Sequence, residues 1–171
     1  NIAFEKAGFK NAVVAKIQPD DAEWDAGDVQ YNVIRWASTP SPRYSGYGPS
    51  VANPRTGEMI AADIVQEFNS ISYGYRLRKI WGYDEENDPL RQWTVSLTLH
   101  EIGHTLGLRH NFKASWLYDA TEIHDKSITG NNHIGSVMDY DPINIAPEGV
   151  QQGNYFPTEP GPYDIWAITF G

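Results

Sequence analysis

The chain has 171 residues, 13 Lys and Arg against 22 Asp and Glu for a formal net charge of −9, and no cysteine. That length supports one domain with a real core. The charge argues against nucleic acid or an anionic membrane as partner, and the missing cysteines exclude disulfides and a thiolate metal site. No apolar run reaches spanning length and no signal peptide is visible. The start at Asn1, without Met, points to a mature or excised piece of a longer protein.

In chain order, residues 1–8 read as the end of a helix, with Phe4 and Ala7 on one face and Gly8 as its C-cap. Val13 to Ile17 reads as a first strand, ended by Gln18-Pro19-Asp20-Asp21. Tyr31 to Ala37 is β-branched and aromatic, with low polarity on both faces, and is expected as a central strand. Residues 38–54, rich in Pro, Gly, Ser and Tyr, read as a long ordered loop. Thr56-Gly57 makes a turn, and Glu58 to Gln66 reads as a third strand. At a sheet edge that strand would pair with an extended peptide; the other reading is an ordinary internal strand.

Residues 69–87 read as an irregular, solvated loop, in which Arg76, Arg78 and Lys79 form either a plain charged face or a basic patch for substrate. Asp88-Pro89 marks a helix start, Asp as N-cap and Pro at N1, and the helix is expected over about 89–106. Its apolar residues fall into two stripes. Val95, Leu99, Ile102 and Leu106 are expected to pack on the sheet. Leu90, Trp93 and Leu97 continue into His100 and His104, expected to face a second, smaller layer across a cleft. A loop-rich stretch follows to about residue 157. His124 and His133 lie in it, either as solvated loop histidines or as a second metal site with Asp125, Asn131 or Asn132 supplying oxygen. Pro162 opens a short C-terminal helix, with Asp164 in its first turn.

The stretch that organises the chain is 100–110, His-Glu-Ile-Gly-His-Thr-Leu-Gly-Leu-Arg-His. His100 and His104 are four apart, so a helix puts them on one face, a turn apart. Glu101 is rotated by about 100° from His100, which sets its carboxylate beside an ion held there rather than on it. Gly107 permits the left-handed turn that ends the helix and swings His110 back. Three neutral imidazoles suit Zn²⁺ and leave a fourth position open, as in a catalytic site. The five fixed positions arise by chance in roughly one in 10⁴ to 10⁵ chains of this length.

This motif, followed by Ser136-x-Met138-x-Tyr140, resembles the metzincin clan of zinc endopeptidases. The resemblance implies an α/β (α+β) fold in which a twisted mixed sheet packs on a long active-site helix. It also implies a loop-rich C-terminal subdomain ending in a helix. The expected division is one catalytic domain over 1–171, with 1–107 as sheet and active-site helix and 108–171 as C-terminal subdomain. Met138 would be the Met-turn methionine beneath the zinc. Tyr140 would be an extra zinc ligand or a mobile oxyanion stabiliser, and Asp164 would tether the Met-turn backbone. From the residues alone, Met138 is also readable as plain core, Tyr140 as a structural hydroxyl and Asp164 as a cap of its own helix.

The stretches at 18–21, 31–36, 53–58 and 106–112 look like the catalytic domain of large bacterial zinc-dependent metalloproteases of the cell envelope or secreted fraction. That resemblance implies an extracytoplasmic location. The implied activity is peptide-bond hydrolysis on a peptide or protein substrate, with His100, His104 and His110 as zinc ligands and Glu101 as general base. The other classes left open are a zinc-retaining module that no longer cuts and a zinc hydrolase of a small or cell-wall peptide.

Overall fold

The computed structural model describes residues 1–81, 85 and 87–171. Its elements are α1 (Ile2–Lys6), β1 (Val33–Ala37), β2 (Gly46–Tyr47), β3 (Ser50–Ala52), β4 (Met59–Glu67), α2 (Asn69–Trp81), α3 (Pro89–Thr105), α4 (Lys126–Thr129) and α5 (Pro162–Phe170), with a 3₁₀ turn at Ala114–Trp116. The fold is mixed α/β: an open, twisted, mixed sheet with helices against it.

The strand order is β1-β4-β2, with β3 also paired to β4. β1 runs parallel to β4, Val33 opposite Asp63 through Ala37 opposite Glu67. β2 and β3 run antiparallel along the other side of β4, in a hairpin closed by the Thr56-Gly57 turn, where Gly57 has φ +76°. This corrects one strand expectation and decides another. The strand expected to be central, β1, is the edge, with Ile34 and Trp36 more than half exposed. Of the two readings of β4, the internal one holds: it lies between β1 and the β2–β3 side, and its Ala62, Ile64 and Gln66 are buried. The long loop over 38–54 carries β2 and β3, so among the described residues the sheet edge beside α3 belongs to residues 46–52.

Two further expectations fail for one reason. Val13 to Ile17 has strand composition but no strand: Val14 is 65% and Ile17 96% exposed. A strand is stable only when a neighbour completes its ladder, which composition alone does not provide. Conversely, residues 69–81 are helix, not loop, because α2 packs on α3. Gly74 lets Leu90 come so close that a Cβ there would overlap the leucine side chain. Leu77, Tyr155 and Phe156 form the core cluster there, with Trp93 and Ile143 against it. Arg78 is spent on Asp88, its Nε 2.8 Å from Oδ1, rather than on a substrate patch. The rest of the expected loop, 82–84 and 86, lies outside the described residues.

α3 begins as expected. Asp88 accepts from the Leu90 amide at 3.0 Å, and Pro89 occupies the first position. Its most deeply buried face is polar or small: Gln92, Ser96, His100 and Gly103. Gln92 Oε1 accepts from the amides of Tyr155 and Phe156 at 2.7 and 3.0 Å, docking the C-terminal segment on the helix. The side chains that meet the strands are Leu97 and Glu101, against Gly46, and Thr98, which accepts from Gln66 at 2.6 Å. The stripe expected on the sheet is only half-buried, and its Leu106 is 40% exposed. Among the described residues no helix is long and apolar enough to cross a membrane.

Candidate metal centre

The end of α3 builds the centre by local hydrogen bonding. Gly107 has φ +87°, its amide donates to His104 O at 3.0 Å, and the Leu108 amide donates to Gly103 O at 3.0 Å. This is a Schellman turn, which needs a residue free to adopt positive φ at the position of Gly107. It reverses the chain so that His110 Nε2 lies 3.0 Å from His104 Nε2. One metal-binding nitrogen from each of His100, His104 and His110 falls within 4.8 Å of the others.

The same turn supplies the outer support. His104 Nδ1 lies 3.0 Å from Leu108 O, and His100 Nδ1 lies 2.7 Å from Val137 O. A carbonyl can only accept, so both Nδ1 atoms carry the proton and both Nε2 lone pairs are left for a ligand. Burial lowers the pKa of His100 to about 4, which keeps it neutral, the form a metal binds. Partial desolvation and then the neighbouring His104 lower that of His110. With His110 in the matching tautomer, its Nε2 lone pair and that of His104 point at a common position between them, where a cation takes both. The donor set therefore fits a zinc-type ion.

Glu101 is buried beside this group, and burial raises its pKa. Its carboxylate accepts from the Gly48 amide. A Cβ on Gly46 would stand 2.8 Å from Oε1, and one on Gly48 2.7 Å from Glu101 O. The strand edge is thus glycine where the carboxylate presses on it. The cleft over this centre measures about 850 Å³ and is lined by Tyr44 to Ser50 on one side and His100, Glu101, His104, His110 and Tyr140 on the other.

Beneath α3 lies Met138, fully buried. Gly103 is glycine because the methionine sulfur fills the space a Cβ would take. Gly103 escaped the sequence reading, although a glycine in mid-helix, costing about 1 kcal/mol against alanine, was a signal. Asp164 reaches from α5 to the same loop. Its Oδ2 accepts from the Val137 amide at 2.9 Å and the Gly161 amide at 2.7 Å, and its Oδ1 accepts from Ser136 Oγ at 2.5 Å. The two readings of Asp164 thus coexist, since it caps its own helix and holds residues 136–137. Val137 passes that constraint on through its carbonyl to His100.

Tyr140 is 66% exposed, and its ring stands 4.3 Å from that of His110 and 5.4 Å from that of His100, centroid to centroid. Of the carboxylates flanking it, Asp139 accepts from Ser115 Oγ and, at 2.7 Å, from the Tyr140 amide, and Asp141 faces His133. His124 and His133 are buried, not solvated. The oxygen partners expected for them are otherwise engaged. Asp125 caps α4 through Ser127, Asn131 donates to Glu159, and Asn132 Oδ1 accepts from the Ile134 amide.

A mixed α/β fold in which one helix and the turn after it bring together three imidazoles and a carboxylate defines a zinc-hydrolase-type centre. Residues 84–171, just over half of the chain, match the Met-zincin family, and the chain belongs to it. Membership makes this a zinc metallopeptidase, with zinc as cofactor and peptide as the class of substrate. Comparison with curated proteins and with solved structures yields no match.

Proposed function

We propose that the chain is a zinc-dependent endopeptidase in which Glu101 is the general base and His100, His104 and His110 hold the metal. The observation that carries this is the buried Glu101 carboxylate beside three converging imidazoles, in a cleft open along a free strand edge. When bound there, Zn²⁺ supplies Lewis-acid polarisation of a peptide carbonyl and acidifies water.

The chain's own groups do the rest. An extended peptide pairs with the edge at 46–52, which places its scissile carbonyl over the histidines. Glu101, held against Gly46 and Gly48, takes a proton from the attacking water and passes it to the leaving amine. Its raised pKa suits both halves of that transfer. Tyr140 donates to the developing oxyanion, an interaction worth about 10²–10³ in rate in other enzymes. Met138, as the Met-turn residue, floors the site under Gly103, and Asp164 fixes the backbone before it. In this reading 1–107 supplies the strand edge and helix and 108–171 the opposite wall.

The test is Glu101→Gln, assayed on casein and a peptide library with a hydroxamate control. The expected result is one zinc retained per chain and hydrolysis reduced by about 10²–10⁴. Full activity in this variant would refute the assignment. A wild type that binds zinc but cuts neither protein nor peptide would favour the non-catalytic binding module. Cleavage confined to small or cell-wall peptides would favour the narrower hydrolase.

A further inference from the structure

Among the described residues, five buried side-chain nitrogen or oxygen atoms lack a hydrogen-bond partner; three of them, His133 Nδ1, His133 Nε2 and Asp141 Oδ2, belong to one facing pair, and a fourth, His124 Nδ1, to a histidine near enough to His133 for their charges to interact. The catalytic centre uses none of these atoms. His133 has 2% and Asp141 10% of its side chain exposed. Their facing atoms, Nε2 and Oδ2, stand 3.4 Å apart and make no hydrogen bond.

Such an arrangement is poor as an ion pair and natural as half of a coordination shell. Two ligand atoms on one tetrahedral zinc, with bonds of 2.0–2.1 Å, lie about 3.3 Å apart. His104 and His110 approach each other similarly, at 3.0 Å. Buried polar groups are otherwise nearly always satisfied, and a cation satisfies a carboxylate and imidazole lone pairs together.

We propose that His133 and Asp141, with His124 as third ligand, bind a second divalent cation of zinc type. Asp125 caps α4 and Gly130, at φ +59°, ends it, so His124 and His133 flank a compact loop over 125–132. Gly153 packs directly on the backbone of His124, which fixes that end. His124 stands further from the pair than a finished shell requires, since only the catalytic trio has all its ligand atoms within 4.8 Å among the described residues. In this proposal the His124 side chain turns toward the ion while its backbone stays against Gly153. Two imidazoles and a carboxylate select a borderline cation over calcium or magnesium, which take oxygen. Asp141 also lines the main cleft, one residue from Tyr140. The ion would therefore pin the wall of the catalytic cleft to the 124–133 loop, a structural role separate from hydrolysis.

The experiment is zinc stoichiometry on the 171-residue chain, stripped with chelator, reloaded with Zn²⁺, desalted and measured by mass spectrometry. The wild type should carry two zinc ions. His104→Ala/His110→Ala should carry one, and so should Asp141→Asn, which keeps the side-chain shape that His133→Ala would remove from the interior. The triple variant should carry none. Zn²⁺ should also raise the melting temperature of the His104→Ala/His110→Ala chain, and Asp141→Asn should abolish that rise. A wild type with one zinc that His104→Ala/His110→Ala removes would overturn this proposal and leave the catalytic reading standing. One zinc that survives that double variant but is lost in Asp141→Asn would uphold the second site and overturn the catalytic one. An unchanged count of two in Asp141→Asn would also refute the proposal.

Discussion

Two stretches of this chain are built on opposite principles. Between Phe4 and Ala61 no residue is buried, although the stretch is rich in Val, Ile, Trp and Tyr. From Asn132 to Asp139 every residue is buried, although half of those eight side chains are polar. The first stretch is ordered by scattered ties, such as Asn1 pairing with Val13 through both its donor and acceptor and Trp24 stacking on Tyr31 at 3.9 Å. The second is held from both sides: Asp164 takes the donors at 136 and 137, Val137 O faces His100 Nδ1, and Met138 O accepts from the Asn111 amide at 2.9 Å. His133 in this stretch is not satisfied, but around residues 136–138 the chain is thus held by satisfied polar groups rather than by apolar mass. Removing one such group costs more than its bond was worth, because its partners are stranded in the interior.

That contrast can be broken or sharpened by substitution. Asp164→Ala should have the largest effect. It strands the Ser136 hydroxyl and two amides, and should cost about 3–5 kcal/mol in urea unfolding and loosen zinc with it. A loss below about 1 kcal/mol would mean that the loop stands without its tether. Gly103→Ala forces the buried Met138 aside and should cost about 1–3 kcal/mol despite alanine's better helix propensity. Adding Met138→Ala should return part of that loss, and strict additivity of the two would deny the contact. Gly107→Ala should cost about 1–2 kcal/mol, the penalty of a side chain at positive φ, and should weaken zinc by displacing His110. At the other extreme, Ile17→Ser in the exposed stretch should change stability by no more than about 0.5 kcal/mol. A larger loss there would show that Ile17 is covered by something in solution.

The centre was far more legible in the sequence than the sheet that frames it. His100, Glu101, His104, Gly107 and His110 lie within eleven consecutive residues of one helix and its turn, so their relative positions follow from helical geometry and one Schellman turn. The strands carried no such local guide. Val13 to Ile17 and Val33 to Ala37 look alike in composition, yet only the second finds a partner in β4. α2 was hidden because its pattern is irregular and its stability comes from packing on α3. The pairing of His133 with Asp141 depends on how the loop between them folds, and the closer Asp125, Asn131 and Asn132 are the oxygen ligands expected from the sequence.

By itself, the sequence determined whatever closes over a few residues: the Asp88-Pro89 start of α3, the imidazole spacing, the Gly107 turn and the Pro162 start of α5. Those depend on caps, φ preferences and the 3.6-residue period, which act along the chain. Only the tertiary structure decided which strand is an edge, why Gly46, Gly48 and Gly103 are glycine, where Asp164 sends its oxygens and which carboxylate meets His133. Most of those are contacts between segments distant in sequence, and His133 meets Asp141 only because the intervening loop folds back, so the packing of the whole chain sets them.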